Sequence, residues 1–165
     1  MKMTTIDLNN EVIDRLIEST VRTYLGVILR ALGLNKTLII ETIDTLEDAE
    51  EITGLKNFMP IGISQKLGEG IYRVAISRQE IEKTLQNSNE WSAKYRVISI
   101  LAPELFHVYQ DLNDLHGIRT SKGTIYPDNN SIPIYEKEAF KFSEKYMKKI
   151  GLVKVESSVP YKTKA

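Results

Sequence analysis

Between Glu90 and Leu112 the apolar residues Val97, Ile98, Leu101, Leu105, Val108 and Leu112 recur every three or four positions. That spacing puts them on one face of an α-helix. A face so uniformly apolar has to be covered, so the segment is predicted to be a central helix against which the rest of the chain packs. Pro103 interrupts it. Proline lacks a backbone N–H and crowds the preceding turn. A kink near Ser99, or a helix that restarts there, is therefore expected.

The flanking segments supply partners for that face. Ile13, Leu16, Ile17, Val21, Leu25, Ile28 and Leu32 predict an amphipathic helix over residues 11–32, capped by Asn10 and stopped by Gly33. Thr37 to Ile43 is rich in β-branched residues and reads as a strand. The acidic stretch Leu46 to Ile52 reads as a short helix or turn. Phe58 to Ser64 and Ile71 to Ser77 read as two strands of a hairpin, joined through Gly68-Glu69-Gly70. Ser77 and Glu80 form a capping box that starts a helix at Arg78. Residues 113–131 are polar, a long connection, and Pro133 opens a last helix over residues 134–150. No linker or repeat divides residues 1–165, so one α+β domain is expected.

With 42% hydrophobic and 27% charged residues the composition is that of a globular domain. Lys+Arg and Asp+Glu both number 22. This balance lacks the basic excess of a nucleic-acid binder. No apolar run reaches membrane-spanning length, and residues 1–10 are too polar for a signal peptide. The expectation is therefore a cytoplasmic protein with neither nucleic-acid nor membrane partners. With no cysteine and only His107 and His116, a metal would be limited to His, Asp and Glu donors.

Two segments carry chemistry. The first is Pro103-Glu104-Leu105-Phe106-His107, with Gln110 one turn on. The second is Tyr135-Glu136-Lys137-Glu138-Ala139-Phe140-Lys141-Phe142, starting 28 residues after His107. Glu136 shares a helical stripe with Ala139, Phe140, Ser143 and Met147. A carboxylate on a stripe that faces a core needs a partner.

Together these segments resemble gluzincin-type zinc metallopeptidases, most closely small bacterial members with HELxHxxQ followed by YExEAxxFA. Glu104, Leu105, His107 and Gln110 match the first pattern, and Tyr135, Glu136, Glu138, Ala139 and Phe142 match the second. The resemblance implies a zincin-like fold: an N-terminal helix, a small mixed sheet with a hairpin, an active-site helix and a C-terminal helix. It implies Glu104 as the general base on metal-bound water, and His107 and Glu136 as metal ligands, with Glu138 as second choice for the third ligand. It implies a peptide or protein as substrate or partner.

The departures from the pattern are as informative. Pro103 stands where the first histidine ligand belongs, Phe140 where many gluzincins carry an aspartate, and Ser143 in place of a small alanine. A catalytic zinc has three protein ligands and a water. With two of the three left, zinc is expected to bind weakly or not at all, and hydrolysis to be impaired or lost. The alternative role is a pseudoenzyme or interaction module that takes a peptide or protein partner in the former substrate cleft, along a sheet edge such as residues 71–77. His116, nine residues past His107, is read as a loop residue, Asp111 and Asp114 as solvated charges. Glu138 with Lys137, Lys141, Lys145, Lys148 and Lys149 is read as a solvated helix face. The lysine-rich end, Lys141 to Lys164, could touch an anionic surface, but the neutral overall charge argues against it.

Overall fold

The computed structural model describes residues 2–113, 117–119, 125–127 and 132–149. In chain order the elements are α1 (Lys2–Leu32), β1 (Thr37–Ile43), α2 (Leu46–Thr53), β2 (Gly62–Gly68), β3 (Ile71–Ser77), α3 (Arg78–Asn87), α4 (Glu90–Leu112), β4 (Gly117–Arg119), β5 (Ile125–Pro127) and α5 (Ile132–Lys149). The class is α+β, with a three-stranded mixed sheet in the order β1-β3-β2.

Local chemistry sets the helix starts. Thr45, Ser77 and Asn89 each accept a backbone N–H three residues on, from Asp48, Glu80 and Ser92. These bonds satisfy donors that the first helical turn leaves open. The turn from β2 to β3 passes through Gly70 at φ +70°, a backbone conformation that a Cβ disfavours.

β3 runs parallel to β1 and antiparallel to β2. It is covered on both faces. Tyr72, Val74 and Ile76 join Val97, Ile98, Leu101, Leu105 and Val108 of α4, Ile13, Leu16, Ile17 and Ile28 of α1, and Tyr146 and Met147 of α5 in the main core. On the other face Ala75 meets Ile43, Ile63 and Ala49 of α2. The central position of α4 thus follows from its apolar face, as the periodicity predicts.

Several expectations are corrected. α1 starts at Lys2, well before residue 11. β2 spans Gly62–Gly68 and not Phe58–Ser64, because pairing with β3 sets its register, with Ile63 opposite Ala75 and Ser64 opposite Val74. Phe58 lies in the preceding loop, 45% exposed. Residues 71–77 are the middle strand, so their edges are already paired; the free edges belong to β1 and β2. The polar connection after α4 carries a short antiparallel hairpin, β4 with β5. α4 passes through Pro103 as one continuous helix, without the restart considered at Ser99. His116, Asp114 and the tail after Gly151 lie outside the described residues.

Candidate functional site

Pro103, Glu104, His107, Gln110 and Asp111 all project from the second half of α4, which packs against β2, β3 and α5. Two sets of contacts hold them. The first is with β2. Ser64 Oγ stands 2.6 Å from Glu104 Oε1 and 2.8 Å from the Glu104 carbonyl oxygen. β2 can come this close only because residue 62 is glycine. A Cβ there would meet the Glu104 Cγ and Oε2 at 3.2 Å.

The second set is with α5. His107 Nε2 lies 3.0 Å from Glu136 Oε1. His107 Nδ1 lies 2.7 Å from Gln110 Oε1. Gln110, fully buried, donates through Nε2 to Glu138 Oε1 at 2.9 Å. This relay fixes protons. Because the Gln110 amide nitrogen faces a carboxylate, its oxygen is turned to His107, so Nδ1 must be the donor. Nε2 in turn faces the Glu136 carboxylate, an acceptor. Both ring nitrogens donate, which makes the ring an imidazolium.

The electrostatics agree with the geometry. Burial alone would lower the His107 pKa. The hydrogen bonds to Glu136 and Gln110 and the charge of Glu136, joined by Glu104 only where that carboxyl is ionised, outweigh it, and the pKa is raised. Glu136 is lowered, chiefly by its bond to His107. Glu104 is raised: burial dominates, Glu136 adds repulsion, and His107 and Ser64 only partly oppose it. Hydrogen counting points the same way. The Ser64 hydroxyl has one proton and two oxygens in reach, both on Glu104. A protonated Glu104 carboxyl supplies the second proton, so that both contacts with Ser64 are hydrogen bonds.

The residues expected at the site therefore do come together. Glu104, His107 and Glu136 share one region, and Gln110 adjoins them. Three readings change. Glu138 is not a free surface charge; it orients Gln110. Asp111 is buried and accepts a hydrogen bond from the Tyr72 hydroxyl at 2.8 Å, so it is no solvated charge. Phe140 faces outward at 61% exposure, and the Glu136 side chain is 63% exposed at the rim; of that stripe Ala139, Ser143 and Met147 are buried. Gly62 and Ser64 escape sequence reasoning altogether. The only signal for them is a small-residue pair, two apart, at the start of a strand.

Zinc is the metal the motif implies. The outer support of His107 suits a metal ligand, because a donor fixed at Nδ1 frees Nε2 for an ion. The donor set does not suit it. Nε2 and the Glu136 carboxylate point at each other, and Pro103 offers nothing as a third donor. Among the described residues, no group of three or more His, Cys, Asp or Glu side chains is placed to hold a metal ion. No helix among them is long and apolar enough to cross a membrane. No protein-family model, curated protein or solved structure matches this chain.

Proposed function

We propose that this chain is a zincin-like pseudopeptidase. It keeps the frame of a gluzincin-type site and has lost hydrolysis with the first histidine ligand. Its retained role is to hold a peptide or protein partner in the former substrate cleft. The observation that carries this reading is the direct contact of His107 Nε2 with Glu136 Oε1 at 3.0 Å. The two side chains that would share an ion neutralise each other. Glu104 supports the same reading. A general base needs a free carboxylate near working pH, whereas this carboxyl is pushed toward its acid form and bonded to Ser64.

The test is Pro103→His, which returns the missing donor to a site whose His107 support is intact. Zinc affinity is measured by equilibrium dialysis with metal analysis, for the native chain and the variant. The variant is expected to gain at least about 100-fold, since losing a first ligand costs more than the roughly 10–100-fold of an outer-shell partner. Glu136→Gln in the Pro103→His background is expected to lose most of that gain. Stoichiometric tight zinc in the native chain, with peptide cleavage abolished by Glu104→Gln, would overturn the proposal. So would a Pro103→His variant no better at binding zinc.

A further inference from the structure

We propose that the outer face of α5 is a docking surface for anionic phospholipid headgroups. The helix carries five lysines. Lys137, Lys141, Lys145 and Lys148 recur every three or four residues, Lys149 lies beside them, and all five are exposed. Side chains so spaced form one row along a helix. Its opposite face, with Ala139, Ser143, Tyr146 and Met147, is buried.

The acids of the helix only partly offset the row. Glu136 is paired with His107 on α4. Glu138 is turned to Gln110 on α4 and Glu144 is exposed among the lysines, two carboxylates against five lysines. Zero net charge for the chain therefore hides a local excess of positive charge on this face. That is why a membrane partner is not expected from the overall balance, and why the folded helix argues for one.

Two apolar side chains accompany the lysines. Phe140, 61% exposed, is the most exposed large hydrophobic residue among those described, and Ile134 is 50% exposed. Lysines with outward aromatic and aliphatic side chains are what an interfacial helix uses, cations for the headgroups and apolar groups for the acyl boundary. The cations are all lysines, compact point charges without the fork that reads a single carboxylate or phosphate. A straight row of about 18 Å on a convex helix suits a flat, diffuse anionic surface better than one bound anion.

The test is flotation of the full chain with vesicles of phosphatidylcholine mixed with phosphatidylserine, against vesicles of phosphatidylcholine alone. Binding is expected to the mixed vesicles only, and to weaken as salt is raised. Each lysine near such a surface is worth about a fivefold change in affinity. Lys141→Gln with Lys145→Gln is therefore expected to weaken binding roughly 25-fold. Phe140→Ser is expected to weaken it at unchanged charge. All three positions are exposed, so unchanged circular dichroism is expected to show that the fold is kept. Equal binding to both vesicle types, indifference to the lysine substitutions, or tighter binding to duplex DNA than to the mixed vesicles would each overturn the proposal.

Discussion

A Cβ built on Gly62 falls 2.6 Å from Ile100 Cγ2, closer than real Cβ atoms approach a neighbour. The backbone at Gly62 has no positive φ, unlike Gly33, Gly54 and Gly70, so space alone demands glycine there. This contact seats β2 against α4 and brings Ser64 to Glu104. Gly62→Ala is expected to destabilise the protein by about 1–3 kcal/mol through overpacking, read from urea unfolding. Ile100→Leu removes the Cγ2 branch and is expected to recover part of the loss in the double variant. Simple additivity of the two substitutions would contradict this account.

The His107–Glu136 pair should stabilise the fold only within a window of pH. Glu136 is lowered from its usual 4.5, so its contribution is complete above pH 4.5 and is lost as pH falls through its folded value. His107 is raised from its usual 6.5, so its contribution is complete below pH 6.5 and is lost as pH rises through its folded value. The stability difference between the native chain and Glu136→Gln is therefore expected to peak between these limits and shrink on both sides. Because the Glu136 side chain is 63% exposed, the peak should not exceed about 1 kcal/mol. Denaturant midpoints across pH for the two proteins measure it. A difference that keeps growing above pH 8 would count against the imidazolium.

The parts of this fold that sequence makes legible are those decided within a few residues. The α4 bounds follow from the apolar period, and the α3 start from Ser77 and Glu80. Composition alone places β2 too early, because its register depends on β3, a partner beyond the turn. Phe58 has a strand-like composition around it and no strand to pair with.

The site divides in the same way. His107 and Glu136 were legible because a motif carries them. The partners that decide their protonation were not. Glu138 reaches Gln110 across 28 residues, and Ser64 reaches Glu104 across 40. Tyr72 reaches Asp111 across 39. A carboxylate next to lysines reads as solvated until the fold shows which face it occupies.

Glu104 gives a pH dependence of opposite sign. Its pKa is raised from 4.5, so above pH 4.5 the folded state holds a proton that the unfolded state has lost. Stability then falls as pH rises, until the folded carboxyl ionises as well. Glu104→Gln keeps the shape, removes the titration and still offers a hydrogen to Ser64. The variant is expected to match the native chain near pH 4 and to be the more stable protein at pH 8. Thermal unfolding at both values decides it. Equal losses of stability in the two proteins on going from pH 4 to pH 8 would show that Glu104 does not hold its proton.

Pro103 leaves the Ser99 carbonyl without the N–H that a continuous helix would supply, because proline has none to give. The helix nevertheless continues through it. A proline in a helix interior costs about 3 kcal/mol relative to alanine, and Pro103, partly buried, offsets some of this by packing. Pro103→Ala is therefore expected to raise stability by about 1–3 kcal/mol in urea unfolding, with or without zinc. The comparison with Pro103→His separates two effects of one position. Both substitutions restore the backbone donor, and only histidine adds a ligand. A further gain in stability on adding zinc is expected for the histidine variant alone, growing with free zinc above its dissociation constant. A zinc-dependent gain in Pro103→Ala would mean that the ion is held elsewhere, and would count against the proposal that a ligand is missing at position 103.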